Sequence, residues 1–193
     1  MPPVNLWDYN VSPMTRLSVS PIKQPNNRTC GPVSLKIALR ILGQDKPLTQ
    51  LISLCQTNSN GTSTNHMIRA IEKLHLEVLS FKKSTLSHIK RFLNKMSYPC
   101  VILVSYLYDL DESGEPNPES GHWAVVRTFD AKRNRIQLLD SVSGTRKSYD
   151  WNDFLRRWLG YDLKRYCFGS RKKHFKLVKR WQSRHMLVVS NSC

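Results

Sequence analysis

Long hydrophobic segments are absent from this sequence of 193 residues. The longest apolar stretch runs from Cys100 to Leu110 and is interrupted by Ser105 and Asp109, whereas a membrane-spanning helix needs ~20 apolar residues in succession. The N-terminus has neither the basic start nor the apolar run of a secretory signal peptide. We therefore expect a protein that has no membrane span and stays in the cytoplasm.

Cysteine is scarce, and its pattern excludes a disulfide framework. The five cysteines are odd in number and widely scattered, which favours reduced thiols; they are Cys30, Cys55, Cys100, Cys167 and Cys193. There is no Cys-x-x-Cys or His-x-x-x-His pair, and Cys167 with His174 is only a loose match to zinc-ligand spacing. We expect neither a metal nor another cofactor.

Acidic residues are also few: 14 Asp and Glu stand against 30 Lys and Arg, a net charge of +16. Residues 163–193 contain no acidic residue, and their basic residues are Lys164, Arg165, Arg171, Lys172, Lys173, Lys176, Lys179, Arg180 and Arg184. Such a segment attracts acidic partners. Its interleaved aromatic residues, Tyr166, Phe168, Phe175 and Trp181, can stack on nucleic-acid bases or complete the core. A solvated face that aids solubility is the alternative to an acidic-protein or nucleic-acid partner.

The bulk composition is that of a globular domain, with 40% hydrophobic and 23% charged residues. The length suits one domain rather than two. We divide it into an extended, proline-containing arm over residues 1–20, a core over 21–160 and a basic extension over 161–193. The sequence does not indicate an oligomeric state.

The first half of the sequence is predicted to be mainly helical. Apolar residues recur at helical spacing after Gly31, Pro32 suits a first helical turn, and Gly43 is a natural stop. Cys30 therefore lies at the start of a helix. Further helices are predicted over 48–55, after the turn at 61–64, and over 86–96.

The second half is predicted to be mainly strands. A strand over 77–81 precedes the predicted helix over 86–96. After that helix, β-branched or alternating residues indicate strands over 100–107, 122–129 and 135–140, with a polar loop over 109–120, a short helix over 151–159 and further strands over 176–179 and 185–189. The sequence thus predicts an α+β fold in which a helical N-terminal half packs on a C-terminal antiparallel sheet.

Three residues have the pattern of a thiol nucleophile and its helpers. An isolated thiol is mostly protonated at neutral pH, but a helix N-terminus favours the anion at Cys30, and a neighbouring imidazolium can form an ion pair with it. His122 opens one predicted strand and Asp140 closes the next, so the carboxylate can orient the imidazole. Asp150 and Asp153 are alternative orienting residues.

Gln24 is a candidate donor to a reacting oxyanion. It precedes Cys30 by six residues, and Pro25 keeps the connecting segment extended. Its amide can turn back beside the Cys30 N–H, so that both donate to a tetrahedral intermediate.

The other cysteines and histidines have simpler interpretations. Cys55 and Cys100 lie in apolar periodic segments and are expected in the core, as are Trp151 and Trp158. The remaining histidines are expected at the surface: His66, His75, His88, His174 and His185.

Three blocks of this sequence resemble the peptidase C39 and C39-like family. They are Gln24 to Pro32, Gly121-His122-Trp123, and Leu138-Leu139-Asp140 through Gly144. The resemblance implies a papain-like fold and a Cys–His–Asp thiol peptidase; the best-known members cut leader peptides after a double glycine beside an exporter ATPase. Thr29 and Ser141 depart from the family pattern, which usually has an acidic residue before the cysteine and often proline after the aspartate.

This sequence contains no membrane spans and no phosphate-binding Gly-Lys-Ser/Thr motif, so we expect a stand-alone peptidase rather than an exporter domain. The expected substrate is a peptide or protein. Two other functions remain open: isopeptide hydrolysis or acyl transfer by the same site, and an idle site on a basic module that binds nucleic acid or acidic protein.

Overall fold

The computed structural model describes residues 18–94, 99–168 and 174–192, so the predicted arm over residues 1–20 falls mostly outside the described residues. The helices are α1 Cys30–Ile41, α2 Leu48–Leu54, α3 Thr64–Lys73, α4 Leu86–Asn94 and α5 Trp151–Arg157. The strands are β1 Leu76–Phe81, β2 Cys100–Leu107, β3 Gly121–Asp130, β4 Arg135–Leu139, β5 Arg146–Asp150, β6 Leu159–Phe168, β7 His174–Ser183 and β8 Met186–Asn191. None of the helices in these ranges has the length and apolar character needed to cross a membrane.

Six strands form one antiparallel sheet in the order β1-β8-β2-β3-β4-β5. The apolar run of β2 lies inside this sheet, between β8 and β3, and all of its residues are buried. The C-terminal strand β8 thus completes the sheet by joining β1 to β2, and β1 comes from the predominantly helical first half.

Helices cover both faces of the sheet. Val101 and Leu103 of β2 face α1, α2 and α3, whereas Ile102 and Val104 belong to the core on the other side, which includes residues of α4 and α5. This alternation follows from the two-residue repeat of a strand. The predicted α+β fold is confirmed, and the helices divide between the two faces.

The β6 and β7 strands form a separate two-stranded sheet. A strand over 176–179 was expected and lies within β7, but the long partner strand β6 was not predicted. The helix expected over 151–159 ends at Arg157. The four aromatic residues of the basic segment are exposed, so they do not complete the core.

Candidate active site

Cys30 is the first residue of α1, and it lines a cavity of about 290 Å³. The N-terminus of a helix has N–H groups without helical partners. Here Pro32 has no N–H, and the N–H of Val33 donates to the Thr29 carbonyl at 3.0 Å. The first-turn donors closest in sequence to the sulfur are therefore those of Cys30 and Gly31. These groups can stabilise a thiolate or an oxyanion.

Gly31 allows another segment to approach the start of α1 closely. A Cβ atom at this position would lie 2.7 Å from both Cβ and Oγ1 of Thr62, and 3.2 Å from Met67 Cε. The absence of a side chain at Gly31 therefore leaves room for Thr62, which also lines the cavity.

His122 lies near the start of β3 and lines the same cavity as Cys30. It is only 4% exposed, and the rings of Tyr106 and Tyr108 pack edge-on against it with centroid distances of 5.6 and 5.2 Å. This aromatic enclosure restricts the orientation of the imidazole. The strand predicted to begin at His122 begins one residue earlier.

A buried hydrogen bond joins the element that carries Cys30 to the one that carries His122. Ser34 of α1 donates its hydroxyl to the carbonyl of Trp123 at 2.9 Å. The indole N–H of Trp123 donates in turn to the Thr62 carbonyl at 3.0 Å. These two hydrogen bonds link α1, β3 and the segment that carries Thr62, and each of the three contributes residues to the cavity lining. The structural roles of Ser34 and Trp123 depend on contacts between distant segments and were not predicted.

Asp140 lies behind His122, directly after β4. Its Oδ1 is 3.8 Å from His122 Nε2, which is beyond hydrogen-bond distance. Both His122 Nε2 and Asp140 Oδ2 are buried and lack a hydrogen-bond partner within the described part of the chain. Asp140 Oδ1 accepts a bond from the Val142 N–H at 2.9 Å. The two side chains thus face each other across 3.8 Å without a hydrogen bond between them.

The alternative orienting carboxylates are engaged elsewhere. Asp150 caps α5 by accepting from the Asn152 N–H at 2.8 Å. Asp153 pairs with Arg157 at 3.0 Å. Of the three candidates, Asp140 is the one placed beside His122.

Burial shifts the pKa values of both Cys30 and His122. It raises the pKa of the Cys30 thiol, against the opposing effect of backbone groups of Trp123, Gly31 and Cys30. Burial also lowers the pKa of His122 to about 3, and the Lys147 charge adds to this effect. Burial therefore favours a neutral thiol and a neutral imidazole, and it opposes the expected thiolate–imidazolium pair because it disfavours both charges.

Lys147 of β5 is a charged neighbour of the site that the sequence did not indicate. Its Nζ lies 3.4 Å from the centre of the Tyr108 ring, and this ring contacts His122. Burial raises the pKa of Asp140, while the Val142 N–H and then the Lys147 charge oppose the rise. Lys147 therefore favours an ionised Asp140 and a neutral His122.

Gln24 is fixed against the segment that follows Asp140. Its N–H donates to the Ser141 carbonyl at 2.7 Å, and the Ser141 hydroxyl donates to Gln24 Oε1 at 2.7 Å. Gly144 permits this docking, because a Cβ there would lie 2.9 Å from Lys23 Cβ and its φ is +67°. With its oxygen held by Ser141, the Gln24 side chain keeps its NH₂ group for another acceptor.

Of the remaining predictions about buried and exposed side chains, some are confirmed and one is wrong. Cys55, Cys100, Trp151 and Trp158 are buried, as expected. His185 was predicted at the surface, and this is wrong: it is 1% exposed, and its Nε2 lies 2.9 Å from the Ser80 hydroxyl. The error arose because β8, which follows it, lies inside the sheet. Across the described ranges, no three His, Cys, Asp or Glu side chains come together as metal ligands.

The fold defines a class: an α+β domain built like the papain-like peptidase domains of C39 transporters. Solved structures that share this fold include the following two. The peptidase domain of Streptococcus ComA, a bi-functional ABC transporter involved in quorum sensing, has a TM-score of 0.63 and 17% identity, covering 90% of this chain and 99% of its own. A double glycine motif protease from an AMS/PCAT transporter, solved with its leader peptide, has a TM-score of 0.59 and 14% identity, covering 90% of this chain and 92% of its own.

The family follows from the sequence match. The model of the Peptidase_C39 like family matches residues 16–164, and the chain belongs to this family. A search of curated proteins gave no significant match.

Proposed function

We propose that this protein is a cysteine peptidase that hydrolyses a peptide bond with Cys30 as nucleophile, His122 as general base and acid, Asp140 as the residue that orients His122, and Gln24 as an oxyanion donor. The observation that carries the proposal is that Cys30 and His122 line the same cavity, while Asp140 Oδ1 lies 3.8 Å from His122 Nε2. Membership of the C39 like family supports a cysteine peptidase at the level of the class.

The two nitrogens of the His122 imidazole have different roles in this proposal. Nε2 faces Asp140, which leaves Nδ1 to take the proton of the Cys30 thiol. Because both groups rest in their neutral forms, proton transfer accompanies the attack of sulfur on the carbonyl carbon. As imidazolium forms, Asp140 Oδ1, which faces Nε2 at 3.8 Å, gains a charged partner. The charge that develops on His122 therefore strengthens its attraction to Asp140.

The tetrahedral intermediate needs donors for its oxyanion. The Cys30 N–H stands at the free end of α1, and the Gln24 amide is oriented by Ser141. When the intermediate collapses, the C–N bond breaks and His122 returns its proton to the leaving amine. Water then attacks the thioester, again losing a proton to His122, and hydrolysis releases the acid and restores the thiol.

Site-mapped thiol labelling tests the pair. The protein is treated with iodoacetamide or an epoxide probe at pH 7, and the rate at each cysteine is followed by peptide mass spectrometry in wild type and His122→Ala. We expect labelling of Cys30 to fall at least about tenfold in the variant, since general bases contribute ~10²–10⁴-fold. Cys167 is exposed and serves as the internal control. Equal labelling of Cys30 in the two proteins would contradict the proposal.

A further inference from the structure

The two-stranded sheet of β6 and β7, here called the ribbon, is the part of the structure that the proposed catalytic site does not account for. The match to the family ends at residue 164, inside β6, so β7 lies beyond it. From Lys164 to Phe168 and from His174 to Val178 every residue is exposed. An isolated two-stranded sheet is only marginally stable in water. A ribbon that exposes large apolar side chains among basic ones is suited to binding a partner.

The pairing register separates the ribbon into two faces, since directly paired residues share a face and successive residues alternate. One set of pairs is Tyr161 with Trp181, Leu163 with Lys179, Arg165 with Leu177, and Cys167 with Phe175; we call it the cleft face. The other set includes Lys164 with Val178 and Tyr166 with Lys176; we call it the outer face.

The cleft face is continuous with the catalytic cavity. Tyr161, Leu163 and Lys179 line the same cavity as Cys30 and His122. Two contacts fix the ribbon there: Tyr161 lies 3.1 Å from the position of a Cβ on Gly121, and the ammonium group of Lys179 donates to the Pro118 carbonyl at 2.8 Å. The ribbon therefore begins as a wall of the cavity and continues outward.

Beyond the cavity, the cleft face presents apolar side chains to solvent. Leu177 and Phe175 are 51% and 53% exposed. From Leu163 to Cys167 the strand advances about 13 Å, at ~3.3 Å per residue. An extended peptide of comparable length has side chains at the same two-residue spacing. Leu177 and Phe175 thus match alternate apolar side chains of an extended chain that leaves the cavity.

The positive charge of the cleft face favours a peptide with acidic side chains. Arg165 lies on the cleft face, with its guanidinium carbon 4.0 Å from the centre of the Phe175 ring. Lys179 of the ribbon forms an ion pair with Glu119. Among the described residues, no carboxylate forms an ion pair with Arg165. An acidic side chain entering along this face would meet a cation already oriented by an aromatic ring.

We propose that the cleft face of the ribbon binds the substrate chain on one side of the scissile bond, as an extended segment that carries apolar and acidic side chains. This inference rests on the proposed peptidase function. The ribbon acts as a specificity-determining surface, and it contributes to binding rather than to the chemical steps.

Peptide capture separates this inference from catalysis. Full-length Cys30→Ala protein is immobilised and exposed to a synthetic library of 14-residue peptides, and retained peptides are sequenced by mass spectrometry. We expect enrichment of Asp and Glu together with Leu, Ile and Phe at alternate positions. Arg165→Glu in the same background should reduce retention of the acidic peptides at least tenfold, and Leu177→Ser that of the apolar ones at least fivefold.

The chain offers matched controls on the outer face. Lys164→Glu makes the same charge change one residue away, and Val178→Ser makes a comparable polar substitution; each should leave retention within twofold. Absence of enrichment, or equal effects of cleft-face and outer-face variants, would overturn the inference. The inference would also be overturned if the cleft-face variants reduced binding of a single-stranded oligonucleotide or of anionic phospholipid vesicles but left peptide retention unchanged.

Cleavage of the retained peptides by the unmodified protein is scored separately. If Arg165-dependent capture occurs without cleavage, the peptidase function fails while the binding surface stands. If peptides are cleaved but capture ignores Arg165, the binding surface fails while the peptidase function stands.

Discussion

The hydroxyl of Ser141 provides a sharp test of how Gln24 is oriented. Ser141 is fully buried and donates to Gln24 Oε1 at 2.7 Å. Replacing it by alanine removes one neutral hydrogen bond, which is worth about 1 kcal/mol of folding free energy. The larger effect is on the Gln24 amide, because its NH₂ group no longer has a fixed direction. The variant therefore tests whether that direction matters for the reaction.

The magnitude follows from the oxyanion contribution. A single oxyanion donor is worth on the order of 3 kcal/mol of barrier, or ~10²-fold in kcat. Ser141→Ala leaves the amide present but less ordered, so we expect kcat to fall about 10-fold to 100-fold with KM nearly unchanged. Gln24→Ala removes the donor itself, so its kcat should fall by the full ~10²-fold. The double variant should be no slower than Gln24→Ala alone, because the two residues act through the same group.

The assay is steady-state cleavage of a peptide selected from the library, with urea unfolding measured alongside. Ser143→Ala is the control: its exposed hydroxyl bonds to Thr145 Oγ1 at 2.7 Å and not to Gln24. It should leave kcat within twofold. An unchanged kcat in Ser141→Ala, or a loss that adds fully to that of Gln24→Ala, would show that Ser141 does not act by positioning Gln24.

Two further predictions concern Cys30 and Gly31. Burial raises the pKa of the Cys30 thiol and lowers that of His122 to about 3. The alkylation rate of Cys30 should therefore keep rising as pH increases above 9. The rate is measured over pH 5–10, with Cys167 as the reference. A plateau between pH 5 and 7 would show a preformed ion pair instead. Gly31→Ala places a Cβ 2.7 Å from Thr62, so unfolding in urea should show a loss of about 1–3 kcal/mol, and peptide cleavage should weaken; wild-type stability would mean that the Thr62 segment moves aside freely.

The local part of the site could be predicted from the sequence. The start of α1 at Cys30 follows from Gly31 and Pro32, which act within one helical turn. The strand that carries His122 and the end of β4 before Asp140 follow from apolar periodicity. These signals depend on residues close in sequence, and each of them was placed correctly to within one residue.

The contacts that assemble the site could not be predicted in this way. Ser34 meets Trp123 across 89 positions of sequence, and β8 enters the sheet between β1 and β2. No local pattern specifies either pairing. The same limit explains His185, whose burial is set by the strand β8 and not by the basic residues that precede it.

Protonation is a further property that the sequence does not determine. The helix N-terminus at Cys30 suggests a stabilised thiolate, but the pKa also depends on how much water the fold removes from the sulfur. The aromatic enclosure formed by Tyr106 and Tyr108 brings this loss of water to His122 as well. Burial opposes the charged form in both cases.

The ribbon was missed for a different reason. Residues 159–168 mix apolar and charged side chains without the clean alternation of a half-buried strand. In the structure most of β6 has no core to face, so hydrophobic burial leaves no periodic signal there. The basic composition predicted an interaction surface but not its shape.

Cleavage of library peptides by wild-type protein, Cys30→Ala and His122→Ala tests the central claim most directly. Product formation is followed by mass spectrometry at equal enzyme concentrations, with circular dichroism to verify that each variant is folded. We predict turnover by the wild type and a loss on the order of 10³-fold or more in each variant. Cleavage that persists in Cys30→Ala, or a folded His122→Ala that cleaves as fast as the wild type, would contradict the assignment of Cys30 and His122 as a peptidase pair.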